Sequence, residues 1–414
     1  MNEYSTGRGD RRNGARNGGK HNTSHGTAPT QERAFLVGVD RGAREGMPLD
    51  ESMLELGRLV DTAGGIVVGS MTQRRPKIDP ATYIGSGKVE EIVAAREESG
   101  YTLVVFDDAL SPSQQLNLEN ALKVKVLDRS ALILDIFAAR AQTREASLQV
   151  ELAQHEYLLP RLRGQWQHLE RMEGAIGSRG PGETQLETDR RLIGARITKL
   201  KKQIKTVQAQ RALQRTRRER QAMPVVALVG YTNAGKSSLM RALSGADVYA
   251  ADAVFATLDP VTRRIGSGTA EAFLLTDTVG FMQKLPTQLI SAFRATLEEL
   301  KTADLLVHVI DGTATAVDAQ RDTVQETLEE LGIGDTPVLC VVNKVDGMVL
   351  PDGSLVETEA DLVILDEANP LGMETETLYA SATTGLGIDA LRHRLLYEFF
   401  GSEVAEPTVR SAVV

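Results

Sequence analysis

The feature that most constrains the fold of this chain is the run Val225–Leu239, in which an apolar, β-branched segment ends at Gly230. Residues 230–237 then read Gly-Tyr-Thr-Asn-Ala-Gly-Lys-Ser, and a helical pattern follows. A strand, a glycine loop and a helix N-terminus in this order present backbone N–H groups to phosphate oxygens without obstruction by Cβ atoms. We predict that Lys236 contacts the β- and γ-phosphates and that the hydroxyl of Ser237 binds Mg²⁺.

Two further motifs stand at the ends of apolar strands. Residues 272–275 lead into Asp277-Thr278-Val279-Gly280, where the aspartate can support Mg²⁺ and the glycine N–H can donate to a γ-phosphate. Residues 337–342 lead into Asn343-Lys344-Val345-Asp346, whose acid can accept two hydrogens from guanine that adenine lacks. Taken alone, the tetrapeptide Asn343-Lys344-Val345-Asp346 fits a strand-end turn equally well. Three motifs in this order predict a guanine-nucleotide-binding domain.

Two other segments complete the predicted site. Residues 253–260 fall where a first switch should lie, with Thr257 as the second hydroxyl ligand of Mg²⁺, and residues 381–383 suit a loop behind the base. The predicted catalytic residues are Lys236, Thr257 and Gly280, and the predicted metal ligands are Ser237 and Thr257. The predicted contacts with GTP or GDP are Gly230, Tyr231, Thr232, Asn233, Ala234, Gly235, Lys236, Ser237, Phe255, Ala256, Thr257, Leu258, Asp259, Asp277, Thr278, Val279, Gly280, Asn343, Lys344, Val345, Asp346, Ser381, Ala382 and Thr383.

Two positions bear on how hydrolysis is completed. Phe281 stands after the Asp277–Gly280 motif, where Ras-like proteins carry a glutamine that positions water, so we expect slow intrinsic hydrolysis and a partner that completes the site. Asn233 resembles the asparagine with which some GTPases hold K⁺. A hydrogen bond that only shapes the loop explains this residue as well, so K⁺ is an open prediction.

The rest of the chain divides by composition and periodicity into an α/β protein with several parts. We predict a disordered basic tail over 1–33, a parallel α/β domain over 34–130 in which strands alternate with helices, and a helical hairpin over 131–223. A Ras-like P-loop GTPase domain over 224–402 and a flexible tail over 403–414 follow. An acidic segment, 347–376, is interpreted as a loop-like, solvated insert.

The hairpin prediction rests on two apolar stripes. Residues from about 130 to 172 are predicted to be helical, with a kink at Pro160, and a second stripe runs from Leu186 to Val207. Residues 173–183 are rich in glycine and are expected to form a non-helical tip between two antiparallel arms. Trp166 near the tip fits stacking on a base or packing on the other arm equally well.

Charge and hydropathy limit the classes of partner that this protein can have. Residues 140–223 carry 18 Lys/Arg against nine Asp/Glu in a chain whose net charge is -9, which favours contact with a polyanion such as RNA over a merely solvated helix face. No run approaches the about 20 apolar residues of a membrane span, and no signal peptide is evident, so we expect a cytoplasmic protein. We also expect it to be a monomer. The loop Gly85-Ser86-Gly87-Lys88 is interpreted as a tight turn, with a second nucleotide or RNA-phosphate site as the alternative.

With these residues placed, the chain resembles the HflX family of ribosome-associated GTPases, within the Obg-HflX group of P-loop GTPases. The motifs that carry the resemblance occur in three separate parts of the chain and are Ser111-Pro112-Ser113-Gln114, Leu159-Pro160-Arg161-Leu162, residues 180–187 (Gly-Pro-Gly-Glu-Thr-Gln-Leu-Glu), residues 255–260 (Phe-Ala-Thr-Leu-Asp-Pro) and Asp277–Phe281.

The resemblance implies an N-terminal α/β domain, a helical hairpin and a GTPase domain. It also implies binding to the large ribosomal subunit and its rRNA near the peptidyl-transferase centre, and splitting of stalled ribosomes. Two other functions stay open. One is an RNA-remodelling ATPase that uses the N-terminal domain around Lys88, and the other is a non-catalytic ribosome assembly factor whose nucleotide is structural.

Overall fold

The N-terminal part of the computed structural model is a four-stranded parallel sheet. The model describes residues 31–42, 47–162, 181–219, 223–245, 254–255, 257–267, 271–285, 300–373 and 375–401. The strands are β1 (Arg33–Asp40), β2 (Ile66–Arg74), β3 (Leu103–Phe106) and β4 (Lys125–Asp128), in the order β2-β1-β3-β4. The crossover helices are α1 (Leu49–Thr62), α2 (Ser86–Ser99) and α3 (Pro112–Leu122). Strands that alternate with helices form such a sheet because parallel neighbours need a crossover connection.

Helices α3 and α2 begin at residues that the local sequence marks as helix starts. Ser111 caps α3 in a capping box with Gln114, and Pro112 occupies the first helical position. Helix α2 begins at Ser86, directly after the Gly85 turn, and Lys88 pairs with Glu91 at 2.6 Å. The interpretation of this glycine loop as a tight turn is therefore wrong for three of its four residues, because Ser86, Gly87 and Lys88 form the first turn of α2 and only Gly85 lies outside the helix.

The helical region is divided differently from the prediction. The prediction of one helix from about 130 to 172 is wrong. Helix α4 (Arg129–Arg140) packs on the N-terminal domain, and a separate helix, α5 (Arg144–Leu158), follows it. The break lies at Ala141, whose ψ of 107° leaves the helix, and Thr143 then caps α5. Helix α5 ends at Leu158, so Pro160 follows the helix instead of kinking it.

The second arm of the hairpin is α6 (Pro181–Glu219). The predicted non-helical tip is wrong at its C-terminal end, because Pro181, Gly182 and Glu183 belong to this helix and proline suits a first helical position. Residues 163–180, which include Trp166, lie outside the described residues. The arms pack where Leu152 meets Leu200 and Ile204, all of them buried.

The GTPase domain is built on a six-stranded sheet in the order β10-β9-β8-β5-β7-β6, in which β6 alone is antiparallel to its neighbour. Its strands are β5 (Val225–Gly230), β6 (Val261–Ser267), β7 (Glu271–Asp277), β8 (Leu305–Asp311), β9 (Val338–Asn343) and β10 (Thr377–Tyr379). Its helices are α7 (Lys236–Ser244), α8 (Val317–Glu330), α9 (Glu359–Ala368) and α10 (Ile388–Phe400). The predicted α/β fold class with a Ras-like P-loop domain is confirmed.

The acidic segment 347–376 is not a loop-like excursion, so that interpretation is wrong. It contains α9, and its apolar residues Met348, Leu350, Val356 and Leu365 are buried against β8 and β9. Strands β9 and β10 are parallel neighbours, which requires a crossover between them. Most of its acidic residues are exposed, including Asp352, Glu357, Glu359, Asp366 and Glu367.

The N-terminal domain and the GTPase domain share one apolar core. Phe137 of α4 lies 4.5 Å from Phe255, ring centre to ring centre, and Phe281 and Met282 are buried in the same cluster. This contact brings the chain segments on either side of the predicted nucleotide site against the N-terminal part of the protein.

A buried ion-pair network joins the same two parts. Arg129 is 1% exposed and pairs with Glu55 at 2.7 Å and Asp107 at 2.5 Å, while Lys284 of the GTPase domain pairs with Asp107 at 2.5 Å and Asp108 at 2.7 Å. Burial opposes the charged form of Asp107, but Arg129 and Lys284 outweigh it and hold its pKa below the ordinary value.

Residues 1–30 and 402–414, which make up most of the two predicted tails, lie outside the described residues, and Arg33 already belongs to β1. Among the helices that the structure describes, none combines the length and the apolar character of a membrane span.

Candidate functional site

The phosphate loop connects β5 to α7 as the sequence predicts. Two of its glycines are required by close approach. A Cβ at Gly230, whose φ is 150°, would lie 2.3 Å from the Val309 carbonyl oxygen, and one at Gly235, whose φ is 92°, would lie 2.2 Å from Nδ2 of Asn343. Both positions combine a left-handed backbone with no room for a side chain.

Lys236 lies inside this loop. Its ammonium donates to the carbonyl oxygens of Gly230 at 3.0 Å and Tyr231 at 2.9 Å, and the residue is only 6% exposed. Burial lowers the pKa of Lys236 to about 8, although the negative charge of Asp277 opposes this shift. A buried cation at a helix N-terminus is suited to phosphate oxygens.

Three oxygen-bearing side chains converge beside the lysine. The hydroxyls of Ser237 and Thr257 lie 2.7 Å apart, and they donate to Oδ2 of Asp277 at 2.6 and 2.9 Å. The other carboxylate oxygen of Asp277, Oδ1, is buried and has no hydrogen-bond partner among the described residues. Burial raises the pKa of this carboxyl. Hydroxyl and carboxylate oxygens are the ligands that Mg²⁺ prefers, so this group fits a magnesium ion.

The predicted base-binding residues lie at the ends of β9 and β10. Nδ2 of Asn343 donates to the Ala234 carbonyl at 2.8 Å, and its Oδ1 accepts from the N–H of Ala382 at 3.1 Å, so one side chain connects the phosphate loop to the base loop. The hydroxyl of Ser381 accepts from the N–H groups of Thr383 and Thr384. The loop around residues 381–384 is therefore shaped by its own side chain.

Asp346 and Lys344 complete this end of the site. Oδ1 of Asp346 is buried without a partner among the described residues, and the paired donors on a guanine edge would satisfy it. Lys344 has a φ of 65° and pairs with Asp311 at 2.7 Å. The sequence analysis did not assign a role to Asp311, although its position at the end of β8, next to β9, is a usable signal.

The segment after Asp277 packs tightly on the phosphate loop. The Thr232 N–H donates to the Phe281 carbonyl at 2.7 Å, and the Phe281 N–H donates to Gly230 at 3.1 Å. A Cβ at Gly280 would lie 2.9 Å from Nζ of Lys236. The Thr278 hydroxyl donates to the backbone of β5, and the Phe281 ring is buried in the core. Neither of these side chains can orient a water molecule at the phosphates.

The first switch supplies Thr257 to the site but directs other side chains elsewhere. The side chains of Phe255 and Leu258 are buried in the core shared with the N-terminal domain, and the carboxylate of Asp259 accepts hydrogen bonds from Gln142 and Thr143. Ala256 lies outside the described residues. The predicted nucleotide contacts of these four residues therefore stay predictions. Sequence reasoning did not assign a role to Thr143, although its capping position before α5 was a signal.

Asn233 lies at the exposed edge of the phosphate loop with a φ of 62°. Its side chain makes no hydrogen bond within the part of the chain that the structure describes. The loop-shaping hydrogen bond is therefore not found here, and K⁺ binding stays a prediction.

Comparison with known proteins identifies the family. Protein-family models described as "GTP-binding GTPase N-terminal", "GTP-binding GTPase Middle Region" and "50S ribosome-binding GTPase" match residues 50–138, 140–218 and 225–344. GTPase HflX of Escherichia coli (strain K12) is 44% identical over 87% of this chain and 82% of its own length. The chain belongs to the HflX family of GTPases. GTPase HflX of Caldanaerobacter subterraneus subsp. tengcongensis is also 44% identical, over 90% of this chain and 82% of its own.

One solved structure is similar to this chain. A GTP-binding protein from the hyperthermophilic archaeon Sulfolobus solfataricus, in complex with GDP, is 24% identical and covers 89% of this chain and 99% of its own, with a TM-score of 0.45. Membership of the HflX family confirms the prediction, made from three motifs, that this chain is a GTPase.

Proposed function

We propose that this HflX-family GTPase is Mg²⁺-dependent, that the large ribosomal subunit stimulates its hydrolysis, and that it splits stalled ribosomes. The observation that carries the proposal is the convergence of Ser237, Thr257 and Asp277 beside the buried ammonium of Lys236. A triphosphate needs such a cation and such a set of hard oxygen ligands at the same point.

Each of these residues has a distinct task in the proposed mechanism. Ser237 and Thr257 hold Mg²⁺, and Asp277 orients both hydroxyls. When bound, the metal neutralises charge that develops on the β- and γ-phosphate oxygens. Lys236 adds a second positive charge there, and the backbone N–H of Gly280 donates to the γ-phosphate. Asp346 accepts the two donors of guanine and so selects GTP over ATP.

Phe281 supports the need for a partner. A buried ring replaces the side chain that would orient the attacking water, so the chain positions the phosphates without positioning the nucleophile. We infer that the ribosome supplies or orders the missing group. A ribosomal partner also places the protein in the cytoplasm.

The charge of the hairpin supports rRNA as the surface that it contacts. On α6, Arg196 and Lys201 face the first arm, where they pair with Glu151 and Glu156 at 2.6 and 2.8 Å. Three further lysines of α6 are exposed and make no ion pair among the described residues; they are Lys199, Lys202 and Lys205. Unpaired cations along one face are suited to a phosphate backbone.

The test is GTP hydrolysis measured with and without purified large ribosomal subunits. We expect a large stimulation that Lys236→Ala abolishes. Replacing the three exposed lysines with glutamine should weaken subunit binding. The slope of the logarithm of the binding constant against the logarithm of the salt concentration should also become shallower, by the equivalent of about two to three phosphate contacts. The matched control, Lys201→Gln, should change binding much less because that lysine is already paired. Equal hydrolysis rates with and without subunits would refute ribosomal stimulation.

Splitting and assembly are separated by a second measurement. Light scattering from intact ribosomes should fall when this protein is added with a GTP analogue that is not hydrolysed. A constant signal, combined with binding to isolated large subunits, would support the assembly-factor alternative. ATP turnover that survives Lys236→Ala would support the ATPase alternative.

A further inference from the structure

The first switch, here Val254–Phe255 and residues 257–260, is fixed to the N-terminal part of the protein at two points. Phe255 and Leu258 are each 3% exposed, and Phe255 packs edge-on against Phe137 of α4. Phe255 also has a φ of 58°, a strained backbone conformation that is rare for an aromatic residue. The surrounding packing must therefore hold this segment in place.

The second attachment point is Asp259, two residues after Thr257. Its carboxylate accepts hydrogen bonds from the backbone N–H of Gln142 at 3.1 Å, from the N–H of Thr143 at 3.0 Å and from the Thr143 hydroxyl. These residues directly precede α5. Three donors on one carboxylate, at the positive end of a helix, make a strong attachment.

Thr143 has two roles in the same contact. Its hydroxyl oxygen accepts from the N–H of Ala146 at 3.2 Å and so caps α5, while its hydroxyl hydrogen is donated to Asp259. Further along the same helix, Glu151 and Glu156 pair with the second arm. A short path therefore leads from the arm of the hairpin along α5 to Thr143, across its hydrogen bonds to Asp259, and along two residues of backbone to Thr257.

We propose that Asp259 and Thr143 are positioning residues for GTP hydrolysis, because together they hold Thr257 at the Mg²⁺ site in the triphosphate-bound protein. The proposal rests on the proposed function, in which Thr257 binds Mg²⁺. It follows that Mg²⁺ affinity and the docking of the first arm are coupled, and such coupling acts equally in both directions. A hairpin displaced by its partner would weaken the hold on Thr257.

The test measures release of a fluorescent GMPPNP analogue from the full-length protein as free Mg²⁺ is varied. In Thr143→Ala, the Mg²⁺ concentration that half-maximally slows release should rise about tenfold, because one of three hydrogen bonds to a carboxylate is lost. Thr143→Ser keeps the hydroxyl and should behave as the parent. Release in EDTA, which does not depend on the metal, should be the same for all three proteins.

Two controls separate positioning from general destabilisation. Thr143→Ala also removes the cap of α5, whereas Asp259→Asn leaves that cap intact and should still raise the Mg²⁺ requirement. Thr315 donates its hydroxyl to Glu51, so Thr315→Ala removes a hydroxyl–carboxylate bond between the same two parts of the protein without touching the first switch. This variant should keep the parent Mg²⁺ dependence.

The outcomes distinguish this proposal from the one on which it rests. If the parent depends on Mg²⁺ but Thr143→Ala and Asp259→Asn match it, or if Thr315→Ala shows the same shift, the positioning role is overturned and the Mg²⁺ site stands. If release from the parent does not depend on Mg²⁺, the metal site of the proposed function fails, and the positioning role fails with it.

Discussion

Nucleotide affinity should fall as the pH rises through the pKa of Lys236. Burial lowers that pKa from 10.5 to about 8, and among the described residues the ammonium donates only to the carbonyl oxygens of Gly230 and Tyr231. Phosphate oxygens add negative charge beside it and raise the pKa again, so binding takes up a proton wherever the lysine of the free protein is neutral.

The magnitude follows from the fraction of charged lysine. With a pKa of about 8, roughly nine-tenths of the side chains are charged at pH 7 and one-tenth at pH 9. The affinity for GDP should therefore fall about tenfold between these pH values, or about 1.4 kcal/mol. The stability of the protein without nucleotide depends on pH in the opposite direction. Between pH 8 and 10.5 the unfolded chain binds more protons at this lysine, so the contribution of Lys236 to stability without nucleotide rises with pH in that window.

The assay is the dissociation constant of a fluorescent GDP analogue, measured at several pH values and constant ionic strength. Lys236→Arg is the matched control, because a guanidinium stays charged throughout this range. Its pH profile should be flat, whatever its absolute affinity. A parent affinity that stays constant within about twofold, or an arginine variant with the same slope as the parent, would refute the reasoning.

Three further predictions concern single residues. Arg129→Met leaves Asp107 and Glu55 buried without their shared cation and should cost about 3–5 kcal/mol in urea unfolding; a loss below about 1 kcal/mol would contradict the buried network. Lys284→Ala leaves Asp107 paired with Arg129, so the loss in the same assay should be smaller, about 1 kcal/mol. Asp346→Asn should weaken GDP binding about a hundredfold in competition experiments. Xanthosine diphosphate has a carbonyl in place of the guanine amino group, so it should bind more tightly to this variant than to the parent protein. Unchanged GDP affinity would exclude Asp346 from base recognition.

Much of the nucleotide site was predictable because its chemistry is local. Gly230, Gly235, Lys236 and Ser237 occur in one strand–loop–helix unit, so their spacing alone defines a phosphate loop. The motifs that end in Gly280 and Asp346 follow apolar strands of the same sheet in the same way.

Errors arose where tertiary contacts override local patterns. The segment 347–376 reads as acidic and loop-like, yet buried Met348, Leu350 and Val356 pack its crossover against parallel strands. The long helix predicted from about 130 to 172 is interrupted at Ala141, where Thr143 caps a new helix and binds Asp259. In both segments the partners that decide the structure lie elsewhere in the chain, so the local pattern does not reveal them.

The sequence by itself determined the fold class, the order of the motifs and the GTPase activity. Each of these depends on residues that are close together along the chain, in the same strand, loop or helix or in the one next to it. Only the tertiary structure decided how the parts are connected. Arg129 meets Glu55 and Asp107 across 74 and 22 positions, and Lys284 meets Asp107 across 177. Pairing over such separations depends on the packing of the shared core, since the fold brings these charges together and no periodicity along the chain encodes their distance.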